Sequence, residues 1–76
     1  MTHEFERVDK LAYDKFVVRK DKYGDSWKTV KLWQLQVKLR EECAELLDAT
    51  DNTDIHKEAL DVMNMARMIA ERTIDS

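Results

Sequence analysis

Apolar residues recur at spacings of three and four along most of the chain, which is the pattern of helices that bury one face. This periodicity predicts helices over three segments: residues 4–20, about 27–49 and about 55–73. The polar segments 21–26 and 50–53 separate them. Side chains that can accept a hydrogen bond from a helix start are Asp25 or Ser26 for the second helix and Thr53 or Asp54 for the third.

The second predicted helix is apolar on two sides when its residues are plotted at about 100° each around the axis. One side has Val30, Trp33, Val37, Ala44 and Leu47, and the other has Leu35, Leu39, Leu46 and Ala49. The third helix is also apolar almost all round. Such helices must be covered on both sides, so we expect an all-α fold in which a three-helix chain assembles into a helical bundle with a partner subunit. The whole chain, residues 1–76, is expected to form one domain.

Composition agrees with helices and narrows the classes of function. The 76 residues include no proline and a single glycine, Gly24. The formal net charge of -3 lacks the basic excess of a general nucleic-acid binder, so nucleic acid is not expected as a partner. The single cysteine, Cys43, cannot form an internal disulfide, and no apolar run reaches the roughly 18 residues that span a membrane. Because the N-terminal residues also lack the apolar core of a signal peptide, we expect a cytoplasmic protein with no membrane partner.

Four carboxylates form two pairs with the same spacing. Glu42 and Glu45 lie three residues apart on the second predicted helix, as do Glu58 and Asp61 on the third. Residues three apart share a helix face. A short link between two long helices makes them antiparallel neighbours. The two pairs are therefore expected to face each other across the hairpin.

Converging carboxylates repel one another, and burial makes each charge more costly. A hard divalent cation with oxygen ligands removes that cost, which favours Mg²⁺, with Mn²⁺ as the alternative. Because magnesium commonly also binds substrate phosphates, the pattern indicates phosphate chemistry more than a structural metal. For either pair alone, a solvated acidic helix face is the more ordinary interpretation, and the periodicity leaves both open.

Together the two pairs resemble the ExxE…ExxD signature of the all-α nucleoside triphosphate pyrophosphohydrolases, in the order Glu42-x-x-Glu45 and then Glu58-x-x-Asp61. That superfamily includes MazG, the dimeric dUTPases, dCTP pyrophosphatase and phosphoribosyl-ATP pyrophosphohydrolase. The doubled Glu41-Glu42 and the run 61–64 (Asp-Val-Met-Asn) are similar to the MazG branch. The resemblance covers about residues 28–72, and the chain is shorter than typical members of the family.

The resemblance implies magnesium-dependent hydrolysis of a nucleoside or deoxynucleoside triphosphate between the α and β phosphates, which gives a monophosphate and pyrophosphate. Glu41 or Glu42 would orient or deprotonate the attacking water. Such transfer depends on charge neutralisation and positioning more than on a protein nucleophile. By motif position, the implied metal ligands are Glu42, Glu45, Glu58 and Asp61.

Candidates for contact with the substrate are Lys38, Asn64, Tyr23 and Trp27. Lys38 lies one turn before Glu42, where it can meet a phosphate or form an ion pair with Glu42 instead. Asn64 lies three residues after Asp61, a position from which similar proteins can contact the nucleotide. Tyr23 and Trp27 lie in and beside the connection 21–26, which can be a lid over the substrate or a plain loop.

Two other classes of function remain open at this level. One is a helical oligomerisation module, an inactive or repurposed relative that keeps the acidic face. The other is a small helical regulator that binds a protein or a nucleic acid, for which the N-terminal half supplies basic residues: Lys10, Lys15, Arg19, Lys20, Lys22 and Lys28. Because two helices are apolar on two sides, we expect a homodimer or a homotetramer.

Overall fold

The computed structural model describes residues 3–75, without the side chains of Lys22 and Tyr23. Within that range the chain has no strand, so the prediction of an all-α fold is confirmed. The helices are α1 (Glu6–Tyr23), α2 (Leu32–Asp48) and α3 (Asn52–Thr73), with a short 3-10 turn (Ser26–Lys28) between α1 and α2. Gly24 follows α1 with φ of +72°, a conformation that side chains other than glycine rarely adopt, and its N–H bonds the Lys20 carbonyl at 2.7 Å.

The second helix begins at Leu32 and not near Trp27, so its predicted start is wrong. In a continuous helix the Trp27 and Val30 carbonyls would accept bonds from amides one turn ahead. Instead both accept hydrogen bonds from Arg72 near the end of α3, at 3.0 Å and 2.6 Å. Lys31 then adopts an extended conformation, and its N–H bonds the Gln34 side chain at 3.1 Å. A contact between distant parts of the chain therefore overrides the helical periodicity here.

The third helix begins at Asn52, a few residues before its predicted start. Its capping residue is Asp51, whose carboxylate accepts a hydrogen bond from the Asp54 N–H at 2.9 Å. The prediction of Thr53 or Asp54 as the cap is therefore wrong, because both residues already belong to the first turn. A tighter link than expected thus joins α2 to α3.

The two long helices after the 3-10 turn form an antiparallel hairpin, and α1 packs on one side of it. Val30, just before α2, meets Arg72 near the end of α3, whereas Glu42 lies beside Glu58 near the start of α3. The first helix docks onto α3 through Asn64, whose side-chain amide donates to the Ala12 carbonyl at 2.9 Å. An ion pair between Arg67 and Asp9 adds to that contact.

The apolar core of the described residues is small. Its buried members are Ala12, Leu35, Leu60 and Met65. One of the two predicted apolar sides of α2 faces inward, as expected, because Leu35 is buried and Leu39 and Leu46 are half-buried. The other side is exposed within the single chain, at Trp33, Val37, Ala44 and Leu47. In α3, Ile55, Ala66 and Ala70 are exposed in the same way.

Among the helices of the described range, none combines the length and the apolar character that crossing a bilayer requires.

Replacing Asp51 with alanine tests the observed start of α3. Because the first amides of a helix lack partners within it, losing this cap should lower the free energy of unfolding by about 1 kcal/mol. Thr53→Ala is the matched control, since Thr53 is exposed inside the first turn, and it should change stability far less. Urea unfolding followed by circular dichroism measures both, and an equal loss in the two variants would contradict the assignment.

Candidate metal centre

Three carboxylates from two helices meet at the α2–α3 interface. One oxygen from each of Glu42, Glu58 and Asp61 lies within 4.8 Å of the other two. Glu42 is 3% exposed and Asp61 is 5% exposed, while the Glu58 side chain is 15% exposed. The antiparallel hairpin therefore brings three of the four predicted ligands together, inside the protein and not on a solvated face.

The fourth predicted ligand, Glu45, lies at the margin of this cluster. Its side chain is exposed, and its oxygens are not part of the group of three. Its carboxylate is nevertheless close enough to Glu58 to raise the pKa of that carboxyl. Glu45 is one turn further along α2 than Glu42, so it reaches the cluster from the solvent side. It can therefore contribute to a cation site only through the exposed edge beside Glu58.

Three oxygens of the cluster are buried without the hydrogen bond that burial normally requires. Within the described range they are Oε2 of Glu42, Oε2 of Glu58 and Oδ1 of Asp61, the last of which has an ion pair with Lys15 instead. The other Glu42 oxygen has the Lys38 ammonium at 3.7 Å, too long for a hydrogen bond. Buried polar atoms are nearly always paired in native proteins, by protein, water or an ion. Hard oxygen ligands with free lone pairs fit Mg²⁺ or Mn²⁺, so the residues present suit the implied metal.

The environment of Glu58 disfavours its charged form. Burial raises the pKa of Glu58 above its usual value of 4.5, the neighbouring Glu45 carboxylate raises it further, and the charge of Asp61 acts in the same direction. The ammonium of Lys57 opposes the shift by lowering that pKa. A divalent cation would reverse the balance, because it favours the carboxylate over the acid.

Positive charge reaches the cluster from α1. Lys15 Nζ lies 2.7 Å from Asp61 Oδ1 in an ion pair whose angles do not make a hydrogen bond, and Arg19 Nη2 lies 3.8 Å from the same oxygen. The sequence interpretation treated both only as part of a basic N-terminal half. A usable signal existed, because Lys15 and Arg19 follow Ala12 by three and seven residues and so share its buried helix face.

A cleft of about 370 Å³ opens beside the acidic cluster. Its walls are mostly apolar, with Phe16, Trp27 and Met65 among them. The polar groups around it are Arg19, Lys20, Ser26, Gln34, Lys38, Asp61 and Asn64. Asp61 belongs to both the cleft and the cluster, so a molecule bound in the cleft would lie against one of the proposed metal ligands. Apolar walls with a few convergent polar groups are typical of small-molecule sites.

Three of the predicted substrate contacts line this cleft, and each also has a structural contact. Lys38 lies 3.4 Å from Glu41 and 3.7 Å from Glu42. Asn64 donates its amide to α1, as described above. The Trp27 ring meets Phe16 edge-on, with centroids 6.1 Å apart. The cleft therefore contains the predicted side chains, but none of them is free of a role in the fold.

The structure does not show the other two candidates, Glu41 and Tyr23, at the cluster or the cleft. Glu41 is exposed and paired with Lys38, outside the group of three carboxylates, so the structure does not bring this candidate base into the cluster. The side chain of Tyr23 falls outside the described part of the chain; its backbone ends α1. The Arg72 guanidinium donates hydrogen bonds to two carbonyls of the segment before α2, so this side chain has a structural role.

No protein-family model, curated protein or solved structure matches this chain, so the candidate site is argued from its own geometry.

Replacing Glu58 with glutamine should change how stability depends on pH in metal-free protein. Because the pKa of Glu58 is raised on folding, its contribution to stability is fully present below pH 4.5 and is lost as pH rises through the raised pKa. Glutamine has no such loss, so Glu58→Gln should gain stability over the native chain as pH rises toward neutrality. Urea unfolding in EDTA at several pH values measures the difference.

The control for this series is Glu71→Gln, which neutralises an exposed glutamate on the same helix. Its difference from the native chain should vary much less with pH. Parallel stability profiles for Glu58→Gln and the native chain would contradict the electrostatic account of the cluster.

Proposed function

We propose that this chain is a nucleoside triphosphate pyrophosphohydrolase that converts a nucleoside or deoxynucleoside triphosphate to the monophosphate and pyrophosphate. The observation that supports it is the buried cluster of Glu42, Glu58 and Asp61 at the edge of an apolar cleft with basic residues. The cluster suits a divalent cation, and the cleft offers apolar surface to a base and cations to phosphates. The ExxE…ExxD spacing selects this reaction among the possible phosphate chemistries.

In the proposed enzyme, Glu42, Glu58 and Asp61 hold Mg²⁺, or Mn²⁺ in its place, and Glu45 adds a ligand from the exposed edge. The metal supplies neutralisation of phosphate charge and a lowered pKa for bound water. Lys38 and Arg19 line the cleft beside the cluster and bind the phosphates. Glu42 is better placed than Glu41 to orient the attacking water, because Glu41 is exposed and paired with Lys38.

The apolar part of the cleft binds the base in this proposal. Trp27 is half-buried and Phe16 supports it edge-on, so the indole presents a fixed surface. Aromatic side chains stack on nucleic-acid bases of any kind, which gives affinity without sequence selectivity. Asn64 contributes a polar group to the same cleft.

Assembly with a second copy of the chain is part of the proposal. Trp33 is 57% exposed and Leu47 is 83% exposed on the outward side of α2, where Val37 and Ala44 are exposed with them. A chain this small, with four buried apolar residues in its described part, would gain much of its stability by covering such a surface. We place the resulting homodimer or homotetramer in the cytoplasm.

The second candidate function is a non-catalytic oligomerisation or regulatory module. The exposed row on α2 (Trp33, Val37, Ala44 and Leu47) favours this alternative. These apolar residues suit a protein partner whether or not the chain hydrolyses a nucleotide. Its distinguishing property is assembly without metal-dependent hydrolysis. Measuring pyrophosphate release from a panel of canonical and modified nucleoside triphosphates, with magnesium and with EDTA, separates the two candidates.

Glu42→Gln and Asp61→Asn should each abolish pyrophosphate release without unfolding the protein. Each substitution removes a metal ligand, and it also removes one of the like charges that repel one another in the metal-free cluster. We expect turnover to fall by about 10²-fold or more, in keeping with the loss of a main electrostatic group in an active site. Circular dichroism and a pyrophosphate assay on the same samples check both parts.

Asp48→Asn is the matched control for this pair, because it neutralises an exposed carboxylate on α2 away from the cluster. It should keep native turnover. Unchanged activity in both Glu42→Gln and Asp61→Asn would contradict the assignment of these residues to the site.

Leu47→Glu combined with Val37→Lys should shift the protein toward a monomer. Both residues lie on the exposed row of α2, and a charge buried at an interface is costly. Sedimentation equilibrium gives the assembled mass directly. The control is Val18→Glu, which places a charge on an exposed apolar residue of α1; an equal loss of assembly there would show that α2 is not the interface.

A further inference from the structure

Lys15 extends from α1 into the acidic cluster between the other two helices. Its ammonium lies 2.7 Å from Asp61 Oδ1 and donates a hydrogen bond to the Lys57 carbonyl at 3.2 Å. The side chain is 24% exposed, in contrast to 76% for Lys10 on the same helix. The two contacts hold a positive charge against a carboxylate that is itself 5% exposed.

The position of this ammonium matters for any cation that enters the cluster. Asp61 is one of the three residues whose oxygens converge, and Lys15 is the cation in closest contact with it among the described residues. A divalent ion bound by Asp61 would lie within a few ångströms of the ammonium, and like charges that close repel strongly where water is scarce. A metal ion also stabilises the Asp61 charge less while the Lys15 ammonium already neutralises it.

We propose that Lys15 is an internal counter-ion that competes with the divalent cation for Asp61, so that metal binding requires the ammonium to withdraw. This inference rests on the metal centre of the proposed function and adds a residue that the ExxE…ExxD pattern does not contain. The withdrawn ammonium stays on α1 next to Arg19, which lines the cleft. A phosphate group bound there is the partner that would then pair with it.

Titration of the protein with MnCl₂ alone, followed by the electron paramagnetic resonance signal of free Mn²⁺, tests the competition. Lys15→Met should bind Mn²⁺ about tenfold more tightly than the native chain, because one positive charge beside the site is removed. Lys15→Gln removes the same charge but keeps a donor for the Lys57 carbonyl, and it should show the same gain. The test therefore does not depend on a single variant folding.

Two controls isolate the contact from net charge and from side-chain shape. Lys10→Met removes an equal charge from the exposed surface of α1, where Lys10 pairs with Asp14 at 2.9 Å, and it should leave the Mn²⁺ affinity near the native value. Lys15→Arg keeps the charge and should not tighten binding. In an Asp61→Asn background the gain from Lys15→Met should disappear, because the carboxylate for which they compete is gone.

Tighter binding by both neutral Lys15 variants, without a gain in Lys10→Met, would support the inference. Equal or weaker binding by those variants, with Mn²⁺ still bound by the native chain, would overturn it and leave the proposed function standing. Absence of Mn²⁺ binding in the native chain and in every variant would overturn the inference and the proposed metal centre together.

Discussion

Repulsion among carboxylates at the α2–α3 interface is the constraint around which this small protein is organised. Glu42, Glu58 and Asp61 come within 4.8 Å of one another in a largely buried position, where each charge is costly unless something compensates it. Lys38 of α2 lies near Glu42, and Lys15 of α1 forms an ion pair with Asp61. The first helix therefore contributes positive charge to the cluster as well as apolar contact. The compensation is incomplete, because three carboxylate oxygens of the cluster accept no hydrogen bond from the described residues. These unpaired oxygens are the observation that supports the proposed cation site.

How far the sequence predicts this arrangement depends on how many residues along the chain separate the groups that interact. Local periodicity predicts three helices, and the (i, i+3) spacing puts Glu42 and Glu45 on one face of α2 and Glu58 and Asp61 on one face of α3, since both depend only on neighbours along the chain. The start of α2 is not predictable in this way, because it depends on carbonyls that bond Arg72 far along the chain. The contact of Lys15 with Asp61 is likewise long-range, and only its place on the buried face of α1 hints at it.

The proposed site and the proposed interface lie on different surfaces, so catalysis and assembly would not conflict. The cleft and the acidic cluster lie where α1 meets the hairpin, with Phe16 and Asp61 at their margins. The exposed row of α2 contains Trp33 and Leu47, on the side of that helix away from Leu35. A second copy covering this row would thus leave the cleft open while burying the apolar surface that the small core does not cover. Assembly would stabilise the hairpin on which the cluster depends.

The proposed divalent cation site can be seen by anomalous X-ray diffraction from crystals grown with MnCl₂, because the manganese signal locates the ion without reference to activity. If Glu42, Glu58 and Asp61 hold the cation, one strong peak lies between them, within bonding distance of an oxygen of each, and the Lys15 ammonium has moved away from Asp61. Diffraction that shows no manganese at those carboxylates, with Lys15 still paired with Asp61, would refute the site.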